Sequence, residues 1–316
     1  MRIFIAGATG VLGRNLIPRL LQRGHSVVGT SSTKERLQEL ERMGSEAILM
    51  NGLDRESVLR AVSAAQADVV VNQMTALASV QSYRNFDKEF ELTNRLRVEG
   101  TAYLLEAARQ NGVRKIVVQS FGGWPQQAGS AIANPEETPY ATDLPARMKN
   151  SHRAIQQMEE MVLSSQSPVG VVLRYGFFYG PGTSFDSTAS TMEVVRKGKF
   201  PVIGEGTGVW SFIHIEDAAE ATRIAIEDAP AGTYQVTDDH PAAVHDWLPE
   251  LARLLEAKQP KRIPEWLGKL FAGESTVYMM TRMRGAANGK AKRVLQWKPS
   301  YADWREGFAA MLRRPL

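Results

Sequence analysis

The sequence predicts an α/β fold: a doubly wound parallel sheet covered by helices on both faces, with a smaller C-terminal lobe. Three observations predict it. The first half alternates short apolar runs with segments of helical period. The opening run ends in a glycine-rich turn, Gly7-Ala8-Thr9-Gly10-Val11-Leu12-Gly13, that leads straight into a helix. After Arg174 the alternation lapses into a stretch rich in Gly, Phe and Tyr.

Each element has its own signal. Residues 2–6 form an apolar run ending at glycine, and 12–23 have helical spacing that stops at Gly24. A strand follows over 26–29, a helix over 34–43, a strand over 47–50, a helix over 56–64 and a strand over 68–72. The long apolar-periodic segment 92–110 ends at Asn111-Gly112 and is followed by a strand over 113–119. A helix over 146–163 and a strand over 169–173 complete the alternation, and 233–237 reads as a strand returning to the sheet. This order demands right-handed crossovers, which place a ligand at the carboxyl ends of the strands. The predicted domains are 1–174 plus 213–237 for the sheet, and 175–212 plus 238–316 for the lobe.

Composition removes several function classes. The chain has 316 residues, 43% hydrophobic and 23% charged, with no run apolar enough to span a membrane. It has no cysteine, so disulfides, thiolate nucleophiles and Cys-ligated zinc are excluded. No His/Asp/Glu cluster has metal-ligand spacing. With no signal peptide at the start, a cytoplasmic location is expected. The net charge of +4 is spread among acidic residues, without the basic stripe that nucleic acid requires.

The glycine turn implies a dinucleotide. Gly7 permits a tight turn, Gly10 lets the backbone approach a pyrophosphate, and Gly13 lets the helix pack closely. The helix N-terminus then offers free N–H groups and the positive end of its dipole, so Thr9, Val11 and Leu12 join the expected contacts. The residues after the second strand, Thr30, Ser31 and Ser32, include no carboxylate to bind a ribose diol or repel an added phosphate. Lys34, Arg36 and Arg14 are candidate counter-charges, so the reading leans to NADP over NAD. Gln73 and Met74 follow the fourth strand and border the cofactor. Asp54 is read as a helix N-cap.

The spacing Gly-x-x-Gly-x-x-Gly resembles the short-chain dehydrogenase/reductase superfamily, in its extended and atypical branches, which have a Rossmann fold. Asn51-Gly52-Leu53-Asp54 stands where the family has its Asp-x-x-Asp after the third strand, so the resemblance assigns Asn51, Gly52 and Leu53 to the adenine, Asn51 through its amide oxygen; Thr93-Asn94 with Arg97-Val98-Glu99-Gly100-Thr101 is similar to its Asn-x-x-Gly-Thr region, and Asn94 is assigned to the cofactor on that basis. Leu173-Arg174-Tyr175-Gly176, Tyr179-Gly180-Pro181-Gly182, Phe212-Ile213-His214 and the tail around Trp297-Lys298-Pro299 extend the resemblance along nearly the whole chain. In the family a Tyr-x-x-x-Lys pair does the chemistry: tyrosine is the acid/base, and lysine lowers its pKa and holds the ribose.

That pair is missing. None of the eight tyrosines has a lysine four residues on. Aligning the family's later Glu and Val with Glu159 and Val162 puts Ser151 at the tyrosine position and Ile155 at the lysine position. Helical period agrees, because Met148, Ser151, Ile155, Met158 and Val162 form one stripe. The candidate catalytic residues are therefore Ser151, Ser120 at the end of the fifth strand, where Phe121 is the alternative occupant of the family's Ser/Thr position, and Tyr175 past the sixth. Lys149 and His152 flank Ser151.

The resemblance implies an NAD(P)-dependent enzyme, a reductase or an isomerase, epimerase or dehydratase, with non-standard acid/base residues. Aromatics near the cleft favour a small apolar or aromatic substrate. Two other readings stay open: a non-catalytic redox sensor, and a non-redox enzyme of cyclisation or addition. Related folds dimerise through helices 92–110 and 146–163, so a homodimer is an expectation by resemblance.

Overall fold

In the computed structural model seven parallel strands form one sheet, and the structure describes residues 1–80, 82–122 and 133–313. The strands are β1 (Arg2–Ala6), β2 (Ser26–Ser31), β3 (Glu46–Leu49), β4 (Val69–Asn72), β5 (Lys115–Phe121), β6 (Val169–Tyr175) and β7 (Gly232–Val236). Their spatial order is β7-β6-β5-β4-β1-β2-β3. The order reverses direction between β1 and β4, which opens a crevice at their carboxyl ends.

The helices connecting them are α1 (Val11–Gln22), α2 (Leu37–Arg42), α3 (Arg55–Ala65), α4 (91–110), α5 (Lys149–Leu163) and α6 (Ile215–Asp228). Two apolar cores fill the two faces of the sheet. Ile3, Ile5, Val117, Leu173 and Tyr175 pack with α1 and α6 on one side. Phe4, Val70, Ile116, Val118 and Val172 pack with α3, α4 and α5 on the other. A third core, built around Trp247, Phe212, Trp210 and Trp304, also takes in Phe86, Phe90, Met148 and Ile155 from the sheet half, so it joins both predicted units.

The sequence differs from the structure at instructive places. β5 starts and ends two residues later than expected, because Val113 N–H closes α4 on Ala108 and the strand stays paired with β6 as far as Tyr175. α4 carries a π turn at Leu96–Gly100. Such a turn keeps helical dihedrals and inserts one residue, so composition does not announce it. A further short helix, Phe86–Glu89, precedes α4. Asp54 caps α3 as expected, accepting from Ser57 N at 3.1 Å. Among the described residues no helix is long and apolar enough to cross a membrane.

Asp238, just past β7, is 1% exposed. Its Oδ1 accepts from His240 N at 3.2 Å, while Oδ2 is buried with no hydrogen-bond partner in good geometry among the described residues. Burial, opposed by that amide and reinforced by the charges of Asp303 and Asp239, pushes the carboxyl up to about 9. The folded chain therefore holds this proton more tightly than the unfolded chain does. The resulting stabilisation is complete below the unfolded value of 3.8 and is lost as pH rises towards about 9. Asp238→Asn imitates the neutral form. Its thermal midpoint should exceed that of the parent chain by a margin that grows with pH across this window. Parallel midpoint curves would show that Asp238 is ionised in the fold.

Candidate active site

The glycine turn is built as a cradle. Gly7 has φ +81°, and a Cβ there would lie 2.8 Å from the Gln73 backbone. Gly10 caps α1 without a side chain and is exposed, so its backbone and the first α1 amides are open to a pyrophosphate. Val11 is half-buried, while Thr9 and Leu12 are buried beneath. Gly13 is needed for a nearer reason than helix-to-strand packing, since a Cβ would sit 2.2 Å from the carbonyl oxygen of Ala8 in the turn itself.

The ribose and adenine candidates line the far side. Thr30 is buried under the turn, its hydroxyl accepting from Gly7 N and donating to Ile5 O, both at 3.3 Å. It braces the turn. Ser31 Oγ accepts from Thr33 N at 3.2 Å, and Ser32, Lys34 and Arg36 are exposed. Arg14 is paired with Glu39 at 2.6 Å, which leaves Lys34 and Arg36 as the candidates for a counter-charge. The amide oxygen of Asn51 already accepts from Leu53 N at 3.0 Å, a local turn that competes with an adenine amine. Gly52 and Gly100 close around Met74, where added Cβ atoms would meet its Sδ at 2.4 Å and its Cε at 3.0 Å.

Gln73 lies against the turn, 6% exposed, with both amide atoms buried and, among the described residues, without a hydrogen bond in good geometry; the amide is beside the Tyr175 hydroxyl. An open glycine cradle over this buried amide fits a polar ligand with a phosphate bridge. The residues present thus fit a nicotinamide dinucleotide. Bound there in reduced form, it would supply hydride.

The stripe on α5 is inward as expected, with Met148, Ser151, Ile155, Met158 and Val162 all buried. Ser151 Oγ donates to Asp87 Oδ1 at 2.6 Å and accepts from Asn94 Nδ2 at 2.9 Å. Asp87 also accepts from the backbone N–H groups of Asn150 and Ser151, so it caps α5 from the short helix before α4. Asn94 thus faces α5. Ile155 is fully buried in the third core, in the same cluster as Phe90 and Trp210.

One turn further, Glu159 anchors a buried network. Its carboxylate accepts from Ser120 Oγ at 2.5 Å, Tyr140 Oη at 2.7 Å, and the Nε and Nη2 of Arg174 at 2.9 and 2.6 Å. Arg174 also donates to Tyr140 Oη and to the Glu136 carbonyl, and its guanidinium lies 5.1 Å from the centre of the Tyr140 ring. His152 meets the same ring edge-on, and burial holds its imidazole down to about 4, against the pull of Glu159. It is neutral at physiological pH. Lys149 is exposed.

The three catalytic candidates do not converge. Ser120 and Tyr175 sit on adjacent strands one residue out of step, so strand alternation sends them to opposite faces. Ser120 points at Glu159 of α5. Tyr175 points at α6, where its hydroxyl pairs with Thr222 at 2.7 Å and burial raises its pKa. Phe121 stands instead at the cleft end of β5. Its ring meets Phe177 edge-on at 5.1 Å, and Phe177 stacks on Trp210 at 4.1 Å.

Sequence reasoning did not single out Asp87, Tyr140 or Arg97. Asp87 lies 64 residues from Ser151 and carries no local motif. Arg97 was visible inside the Asn-x-x-Gly-Thr segment, but its burial was not. Glu159 served only to set the register.

Residues 3–237 match the NAD dependent epimerase/dehydratase family. The chain belongs to this family. Among curated relatives, the 3-diazoavenalumate denitrifying reductase of a Streptomyces species is 41% identical over 309 residues, 98% of this chain and 99% of the relative. The 4-hydroxy-2-methyl-3-oxo-4-farnesyl-3,4-dihydroquinoline-1-oxide ketoreductase of Stigmatella aurantiaca is 29% identical, over 71% of this chain and 64% of its own length. Among solved structures, the UDP-glucose 4-epimerase of Thermotoga maritima superposes with TM-score 0.76 at 21% identity, covering 99% of this chain and 97% of that one. The epimerase/dehydratase family comprises NAD(P)-dependent enzymes, so this chain is an enzyme of the reductase, epimerase or dehydratase kind.

Arg174→Met would leave the Glu159 carboxylate buried without its cation. The expected loss is about 3–5 kcal/mol of folding stability, read by urea unfolding. A loss below about 1 kcal/mol, the range of an exposed pair, would show that the network does not hold the fold.

Proposed function

We propose that this chain is a reductase that delivers hydride to an electron-poor, apolar or aromatic acceptor needing no proton from the protein. One observation carries the reading: the tyrosine position holds a serine locked to Asp87 and Asn94, and the lysine position holds a buried isoleucine. Neither can deliver a proton with a tuned pKa. Phe121, Phe177 and Trp210 supply an aromatic wall at the ends of the central strands. Such a wall suits a flat ring and offers little to a nucleotide sugar.

An aryl diazo group is the acceptor class that fits best, and the relative at 41% identity is named for reducing one. An aryl diazonium is already cationic. Adding one hydride to it gives the arene and dinitrogen, with the carbon–nitrogen bond broken and no proton outstanding. The chain's own task is then to bind, orient and keep water out. NADP is the proposed dinucleotide, on Lys34, Arg36 and the absence of a carboxylate after β2.

The test follows the reduced nicotinamide by absorbance with an aryl diazo acid, a simple aryl ketone and a UDP-sugar. Consumption with the diazo compound and release of dinitrogen is expected. Turnover of the ketone or the sugar with the diazo compound inert would overturn the reading. Tyr175→Phe should keep most of kcat, since its hydroxyl serves Thr222, whereas Gly10→Val should abolish dinucleotide binding by filling the cradle. A thousandfold fall in kcat for Tyr175→Phe would return that residue to the chemistry.

A further inference from the structure

Arg97 lies in the π turn of α4 and is 8% exposed. π turns recur at functional sites because the inserted residue redirects a side chain. α4 and α5 each follow a strand of the same parallel sheet, so they run in the same direction. The bond between Asn94 and Ser151 sets them in register. One turn further along, Arg97 of α4 stands abreast of Ile155 of α5.

This guanidinium has little inside the chain to hold it. Among the described residues it makes no salt bridge, and its one side-chain hydrogen bond is to Asn94 Oδ1 at 3.3 Å. Glu159 is the carboxylate that acts on it through space, while burial holds its pKa down to about 10. Glu159 cannot bond it as well. A carboxylate accepts at about four sites, and Ser120, Tyr140 and two nitrogens of Arg174 take them. A guanidinium has five N–H donors, and most of these are available to an oxygen-rich ligand.

We propose that Arg97 supplies, from α4, the buried cation that a family lysine supplies from the α5 position held here by Ile155, and that it holds the hydroxyls of the nicotinamide-side ribose. The proposal rests on the dinucleotide-dependent reading above. Lysine could not replace this cation from position 97 with the same grip, because only arginine presents a planar fork to a vicinal diol.

Direct binding tests it without any substrate. The full chain is titrated with reduced dinucleotide, and separately with the adenosine bisphosphate half that lacks the nicotinamide ribose. Arg97→Met should weaken the whole dinucleotide by about tenfold or more, the worth of a hydrogen bond to a charged group, and leave the half molecule unchanged. Arg97→Lys should lie between the two. The double variant Arg97→Met with Ile155→Lys should recover most of the affinity by restoring a cation from α5. Unchanged affinity of Arg97→Met for the whole dinucleotide overturns the proposal. So does equal weakening of both probes with a lowered thermal midpoint and no recovery in the double variant, which would mark Arg97 as structural. Failure of the parent chain to bind either probe would instead overturn the dinucleotide reading itself.

Discussion

The buried ion pair between Glu159 and Arg174 is the constraint on which the site depends. Arg174 belongs to β6, Glu159 to α5, Ser120 to β5, and Tyr140 and Glu136 to the segment before α5. Glu136 in turn accepts from Gln235 N of β7 at 2.8 Å, so five pieces of chain share one polar knot. Removing two charges from water is expensive and is repaid only when every lone pair is used. Here all are used, and that fixes the rotation of α5. The same rotation turns Ile155 and Ser151, one and two turns back along the helix, inward.

Asp87 sets the other end of α5. It meets two free amides and a hydroxyl at the helix N-terminus, where a negative charge is favoured. The helix is therefore held at its start by Asp87 and in its later turns by Arg174. A slip that would bring Lys149 or His152 into the position of Ser151 would break both attachments. Lys149 stays in solvent, and His152 is packed against Tyr140.

The fold was legible because its signals are local. Glycine turns, helical periods and apolar runs placed nearly every element of the sheet, and the Gly7 turn carries its positive φ where the sequence required it. Errors of one or two residues arose where a tertiary pairing set the boundary, as β6 does for the end of β5. The geometry of the glycine turn was legible for the same reason. The hydroxyls were not. Thr30, Ser31, Ser120, Ser151 and Tyr175 were noticed as polar groups near strand or helix ends, yet each has a partner that the sequence does not name. A hydroxyl's task depends on what lies within 3 Å, and Asp87 and Thr222 come from distant segments.

Under the proposed reading, a serine and an isoleucine at the Tyr/Lys positions would change what the site can reduce. A ketone gains negative charge on oxygen as hydride arrives, so it needs a donor whose pKa is matched to that oxygen. The Ser151 hydroxyl donates to Asp87, and donating a proton onward would leave an alkoxide beside a carboxylate. Ser151 is buried and Asp87 half-buried, and like charges at that separation oppose one another. Serine in this setting is a strut for α5 and a poor acid. An acceptor that begins with a positive charge reverses the requirement, because hydride neutralises it and no oxyanion develops. Under the proposed reading, the aromatic packing at Phe121, Phe177 and Trp210 would be the useful chemistry, since it would hold the ring in place and exclude water from a reactive cation.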